Sequence, residues 1–223
     1  MILLIDADDT LWENNIYFER VIDRFVAHLN HPHLTHAEVR AVINEVESAN
    51  AQVHGYGTAS FTRNLREVFA RVSPATMEEG DWIAELGRTI TEHPIEVIEG
   101  VRETLEYLCP RHRLVLFTKG NREEQMSKVE RSGLSGFFHD TRVVKEKNAV
   151  SYEAMAAELA QSKDEMWMIG NSPKSDINPA LAAGLRAVWI PHDATWVLEH
   201  EEVVAAPGRL LTLSRFAELR DWL

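Results

Sequence analysis

The stretch Ile2–Trp12, ILLIDADDTLW, constrains this chain more than any other. Four successive apolar residues, Ile2 to Ile5, read as a short strand buried on both faces, as in a parallel sheet covered by helices. The run stops abruptly at Asp6-Ala7-Asp8-Asp9-Thr10. In open α/β sheets the carboxyl ends of the strands face the ligand crevice, so these acids stand where chemistry takes place. Asp6 and Asp8 are two residues apart, and an extended backbone points both side chains the same way. Carboxylates that close repel unless a cation or a shared proton compensates, and Mg²⁺ is a natural partner for such a pair. Read alone, the same acids equally suit a solvated turn, because Asp and Thr are good turn residues.

The rest of the chain supplies the context. From Asn15 to about Glu92 the pattern is helical. Phe18, Val21, Ile22, Phe25, Val26 and Leu29 recur at helical spacing and give one apolar face. His31-Pro32-His33 breaks that helix, and Thr35 with Glu38 forms a capping box for a second one that buries Val39, Val42, Ile43 and Val46. His54–Thr58 reads as a loop, Thr62–Val72 as a third helix and Trp82–Ile90 as a fourth, with Pro94 closing the block. A wholly helical insert directly behind the acidic loop predicts a lid, spanning residues 14–94, that opens around Trp12–Asn15 and Thr91–Ile95. Beyond it, strands and helices alternate. Strands are predicted at Leu114–Phe117, Thr141–Val144, Met166–Ile169, Ala187–Ile190 and Leu210–Leu213, with helices between them. This alternation predicts an α/β fold, a doubly wound, Rossmann-like parallel sheet with right-handed crossovers, built from residues 1–13 and 95–223.

Bulk properties narrow the function classes. A formal charge of −12 over 223 residues argues against a nucleic-acid surface, which needs a basic patch. It leaves room for an anionic substrate, because a metal and a lysine or two reverse the field locally. The single cysteine, Cys109, excludes a disulfide framework and a cysteine-rich zinc site. No apolar run reaches the ~18 residues of a membrane span, and the N-terminus lacks a signal-peptide pattern, so the expected setting is cytoplasmic, without a membrane partner.

Polar groups recur at later strand ends: Thr118-Lys119-Gly120, Lys145-Glu146-Lys147, and Gly170-Asn171-Ser172 with Asp176. An acidic DxD loop, a hydroxyl after an apolar strand, a lysine, and a glycine followed by a further acid come in that order. The chain thus resembles the haloacid dehalogenase superfamily, whose motifs run in the same sequence, and its helical insert is similar to that family's cap. Asp9-Thr10-Leu11-Trp12 and Gly170-Asn171-Ser172 with Ser175-Asp176-Ile177 look like a bacterial, phosphatase-like branch.

The resemblance implies roles. Asp6 would be the nucleophile of an aspartyl-phosphate route, and Asp8 the acid and then the base. Thr118, with Lys119, Gly120 and nearby amides, would bind phosphoryl oxygens. Lys147 fits the family spacing and would neutralise charge beside Asp6, whereas Lys145 reads as a solvated strand-end charge. Mg²⁺ would bind Asp6, the Asp8 carbonyl and the last loop, through Asn171, Asp176 or both. Two departures stand out: Asp9 replaces a common glycine, which Asp tolerates in left-handed backbone, and Asn171 replaces a common aspartate, giving an oxygen without its charge.

The function so implied is Mg²⁺-dependent hydrolysis of a small phosphomonoester. Asp8 favours this over dehalogenation, because similar dehalogenases lack an acid there. Phosphonate cleavage would want a cap lysine, and Tyr17–Glu92 contains none. A phosphomutase, a non-catalytic phosphate-binding module of the same fold and an acidic lid serving as a partner surface are the other readings. Sugars, nucleotides, flavin mononucleotide and small organic acids are all left open as the ester, as is the oligomeric state. Plainer roles compete at single residues: Thr118 or Asp176 as helix caps, His28, His31, His33 and His36 as a solvated loop, Trp12, Trp167 and Trp189 as core, and Tyr56, Arg63 and Asn64 as surface rather than substrate contacts.

Overall fold

A computed structural model describes residues 1–73 and 81–223. The chain forms two compact units, one of Met1–Asn15 with Ile95–Leu223 and one of Ile16–Pro94. The first boundary falls two residues beyond the predicted one, for a local reason. The Asp9 carboxylate accepts hydrogen bonds from the amides of Asn14 and Asn15 at 2.9 and 3.0 Å, which ties both residues to the acidic loop.

The larger unit is a six-stranded sheet, parallel throughout, in the order β3-β2-β1-β4-β5-β6. Its strands are β1 (Ile2–Ile5), β2 (Arg113–Lys119), β3 (Asp140–Val144), β4 (Met166–Gly170), β5 (Arg186–Trp189) and β6 (Leu210–Thr212). The period of two along β1 decides its packing: Leu3 and Ile5 enter one apolar cluster with Val101, Leu105 and Phe216, while Ile2 and Leu4 enter another with Tyr152, Met155 and Ala180. Burial on both faces is what selected a run of four apolar residues here. From β1 the chain builds outward through β2 and β3, then returns to β4 on the other flank. The switch point between β1 and β4 opens a crevice at the carboxyl ends of these strands. Ile5 pairs with Ile169, and the Asp6 amide donates to the Ile169 carbonyl at 2.9 Å, so Asp6 emerges level with the Gly170 loop.

The helical unit contains α1 (Asn15–Leu29, beginning at its boundary), α2 (His36–His54), α3 (Thr58–Val72) and α4 (Trp82–Thr91). The predicted capping box is present, with Thr35 and Glu38 exchanging side-chain and backbone hydrogen bonds. Val39, Ile43 and Val46 are buried as predicted, and Val42 packs partly buried against the same core. The loop predicted at His54–Thr58 is shorter: α2 runs through His54 and α3 begins at Thr58, because Gly55 and Gly57 both adopt positive φ and turn the chain within three residues.

In the larger unit follow α5 (Val101–Leu108), α6 (Arg122–Ser132, closed by Gly133 at φ 67°), α7 (Ala149–Leu159) and a short α8 (Asn178–Ala182). α8 is not entered directly from the loop after β4. A π-type turn, Pro173–Ile177, precedes α8 and folds Asp176 back over Gly170. A side chain at Gly170 would place its Cβ 2.3 Å from Asp176 Oδ2 and 2.8 Å from Asp176 Cβ. Gly170→Ala should therefore destabilise the protein by about 1–3 kcal/mol, as overpacking of a fixed site does. Urea denaturation measures this, and an unchanged midpoint would show that the turn relaxes freely.

Candidate active site

Lys147 assembles the site. Asn148 caps α7, with Ser151 completing a capping box, and this directs the residue before the cap inward. Lys147 is buried, whereas Lys145 is exposed, which separates the two candidate lysines. Lys147 Nζ donates to Asp6 Oδ1 at 2.5 Å and to Asp176 Oδ1 at 2.7 Å. One ammonium thus joins the end of β1, the segment after β3 and the turn after β4. Burial works to lower the Lys147 pKa, but the carboxylates of Asp176 and Asp6 outweigh it and hold the group above its ordinary range, as a cation. The Asp6 pKa is raised as well, here towards the neutral form. Burial first, then the charge of Asp176, raise its carboxyl to about 7 against the pull of Lys147. The second Asp176 oxygen accepts from the Ser172 amide at 3.0 Å, so both its oxygens are engaged within the site.

Asp8 is held by three donors. Trp12 Nε1 lies 2.8 Å from Oδ1, Gln125 Nε2 lies 3.1 Å from Oδ2, and Lys128 Nζ lies 3.0 Å from both oxygens. Gln125 and Lys128 stand three residues apart on α6, one above the other on the same face. Gln125 Nε2 also donates to Thr118 Oγ1 at 2.7 Å and to the Lys119 carbonyl at 3.1 Å, linking the acid loop to the end of β2. Asn121, not Thr118, caps α6, which leaves the buried Thr118 hydroxyl to the site. Trp12 is core, as predicted, but its ring nitrogen serves Asp8 as well. Nothing in the residue pattern of α6 marks this role, because Gln125 and Lys128 lie on a polar helix with no motif spacing.

Asp9 adopts φ 59°, the left-handed backbone expected where a glycine is common. Burial raises its carboxyl to about 6, against the hydrogen bond from the Asn15 amide. Glu13 and His192 lie beside it, and His192 Nε2 is 3.2 Å from Glu13 Oε2.

Lys119 and Gly120, expected to bind substrate, have other engagements. Lys119 Nζ donates to Glu199 Oε1 at 2.5 Å and to Ser175 Oγ at 2.8 Å, and the Gly120 amide donates to the Val144 carbonyl at 3.1 Å. Glu199 also accepts from Ser172 Oγ at 2.6 Å. Burial tends to raise the Glu199 pKa, but Lys119 and the serine hydroxyls outweigh it and hold it below its ordinary range. Glu199 therefore staples the end of β2 to the loop after β4, a role that no sequence motif announces. Asn171 lies between two hydroxyls: its Nδ2 donates to Thr195 Oγ1 at 2.9 Å, and its Oδ1 accepts from Thr10 Oγ1 at 3.2 Å. In the helical unit, Asn64 is buried and bonded to Asn50, Arg63 is exposed and Tyr56 is half-buried. Among the described residues, the four histidines of the His28–His36 region form no metal-ligating cluster.

The donor set fits a hard divalent cation. Thr10 Oγ1 lies 3.3 Å from Asp6 Oδ2 and 3.2 Å from Asn171 Oδ1, so a carboxylate and an amide oxygen converge on one hydroxyl. Lys147 is shared by Asp6 and Asp176, and Lys128 is committed to Asp8. Three carboxylates against two ammonium groups leave negative charge that an all-oxygen cation site would offset. The oxygens able to hold it are those of Asp6 and Asn171 with the Asp8 carbonyl, whereas Asp176 faces Lys147 and the Ser172 amide.

The Glu199 staple is testable. Glu199→Ala leaves the mostly buried Lys119 ammonium without its carboxylate, and should cost about 3 kcal/mol, the low end for a broken buried pair. A loss below about 1 kcal/mol in urea melts would place the pair among exposed ones.

The haloacid dehalogenase-like hydrolase family matches residues 1–184. No curated protein matches the chain. A haloacid dehalogenase-like family hydrolase from Xanthomonas campestris is 29% identical, with TM-score 0.82, over 100% of this chain and 93% of that one. The HAD-hydrolase YfnB from Bacillus subtilis, solved with bound magnesium, is 19% identical with TM-score 0.68, over 100% and 97% of the two chains. L-2-haloacid dehalogenase from Xanthobacter autotrophicus is 13% identical with TM-score 0.67, over 99% and 96%. Both of these share the fold. With the motif order and the family match over most of its length, the chain belongs to the haloacid dehalogenase-like hydrolases.

Proposed function

We propose that this hydrolase cleaves a small phosphomonoester with Mg²⁺ as cofactor, through an aspartyl-phosphate on Asp6. The observation that carries the reading is the pairing of a buried nucleophile with a second acid two residues on: Asp6 on Lys147, and Asp8 at the mouth of the same loop with Thr118 linked to it through Gln125.

The cation, when bound, neutralises phosphoryl oxygens and keeps the Asp6 carboxylate ionised. The chain's own groups do the rest. An Asp6 oxygen attacks phosphorus, and the bond from phosphorus to the ester oxygen breaks. Asp8 in its acid form gives its proton to the departing alkoxide. In the second half, Asp8 takes a proton from water as that water attacks phosphorus, and the Asp6–phosphorus bond breaks to release inorganic phosphate. Lys147 keeps its charge throughout and fixes Asp6, while Asp176 holds the lysine from behind. Thr118 Oγ1 accepts from Gln125, and its own proton, which makes only a long 3.5 Å contact with the Lys119 carbonyl, would turn to a phosphoryl oxygen.

The second reading is carbon–halogen hydrolysis by the same nucleophile, supported by the fold shared with L-2-haloacid dehalogenase. Asp8 weighs against it, since displacement at carbon expels halide and needs no protonated leaving oxygen. The two readings part in one assay. Wild-type protein should release phosphate from p-nitrophenyl phosphate, stop when EDTA removes the cation and recover with Mg²⁺, and release no halide from a 2-haloacid. Asp8→Asn should lower phosphate release by about 10²–10⁴-fold. Halide release without phosphate release, or full phosphatase activity in Asp8→Asn, would overturn the proposal.

A further inference from the structure

Asn171 is the one neutral residue among the oxygens that could hold the cation, and an amide, unlike a carboxylate, has a wrong way round. One rotamer offers an oxygen to the site; the flipped one offers an NH₂ group that cannot ligate a metal. The choice rests on what lies behind it.

Thr195 lies there, outside every motif. Its hydroxyl has a single proton, and Thr195 Oγ1 donates it to the His192 carbonyl at 2.8 Å. That carbonyl also accepts from the Thr195 amide at 3.0 Å, which closes a tight turn and holds the side chain in place. With that proton on the carbonyl, Thr195 Oγ1 accepts, and the group facing it at 2.9 Å is the Asn171 NH₂. A flipped amide would either set two acceptor oxygens against each other or draw the hydroxyl proton off the His192 carbonyl. On the opposite side, the single proton of Thr10 Oγ1 lies between Asn171 Oδ1 at 3.2 Å and Asp6 Oδ2 at 3.3 Å, so the amide oxygen is on the side of the nucleophile.

We propose that Thr195 is a positioning residue that locks the Asn171 amide with its oxygen towards Asp6, and so makes a neutral side chain serviceable as a Mg²⁺ ligand. The inference rests on the Mg²⁺ site of the proposed function, but not on what the enzyme hydrolyses. It also explains why the loop after β5 matters to a site otherwise built from β1, β2 and β4. Groups that orient a metal ligand from behind are typically worth about 10–100-fold in metal affinity.

The test is Mg²⁺ binding to the whole protein by isothermal titration calorimetry, with no substrate present. Thr195→Val, which keeps the shape and removes the acceptor, should weaken Mg²⁺ binding by about tenfold or more. Thr195→Ser should bind as wild type. Asn171→Asp should bind more tightly, and in that background Thr195→Val should change affinity by less than about twofold, because either carboxylate oxygen can face the cation. A wild-type affinity in Thr195→Val would overturn the proposal. So would an equal loss in the Asn171→Asp background, which would mark Thr195 as a structural residue only. A wild-type protein that binds no Mg²⁺ would overturn both this inference and the metal-dependent reading. The expected binding pattern without phosphate release would keep the role of Thr195 and remove only the phosphatase assignment.

Discussion

One buried ammonium holds this site together. Lys147 is sealed from water and shared between Asp6 and Asp176, and neither carboxylate could stay charged at that depth without it. The arrangement is costly in isolation, since each ion has lost its hydration, and it is stable only because the hydrogen bonds are short and the remaining oxygens are occupied. The Ser172 amide takes the second oxygen of Asp176, and Thr10 faces that of Asp6. The sheet order follows the same logic. Only with β1 central, between β2 and β4, do the loops that carry these groups meet at a single crevice.

A second layer keeps the first in register. Glu199 ties Lys119 to the serines after β4, Gln125 ties Thr118 to Asp8, and Thr195 orients Asn171. Each comes from an element whose sequence shows no motif: a short 3₁₀ segment, the polar face of α6, and the loop after β5. These contacts account for three features that motif spacing alone left without explanation. Lys119 follows Thr118 yet is bound to Ser175 and Glu199, Asp8 keeps a counter-ion, and an asparagine stands where an acid is common.

The legible part of the chain was the part governed by short-range periodicity. A run of four apolar residues announced a central strand, helical spacing announced α1 and α2, and Thr35 with Glu38 announced a cap. The strand-end acids, Thr118 and Lys147 could be singled out because they stand at the ends of strands in a repeating strand and helix pattern. Boundaries shifted where tertiary bonds took over from local preference. Strand β2 continues through Lys119 because β3 pairs with it that far, and a π-type turn, Pro173–Ile177, leads into α8 and lets Asp176 reach Lys147. Gln125, Lys128, Thr195 and Glu199 were illegible for a physical reason. Each makes at least one bond to a partner 24 to 120 residues away, and no local pattern encodes such a meeting.

The central claim is that the lysine-bound carboxylate of Asp6 becomes covalently attached to phosphorus. Rapid acid quenching of the wild-type enzyme during turnover of a phosphate ester, followed by borohydride reduction and peptide mass spectrometry, tests it directly. The account predicts that Asp6, and no other residue, is recovered as homoserine, the reduction product of an aspartyl-phosphate. Recovery of Asp6 unmodified while phosphate is released at the full rate, or modification of a different residue, would contradict it.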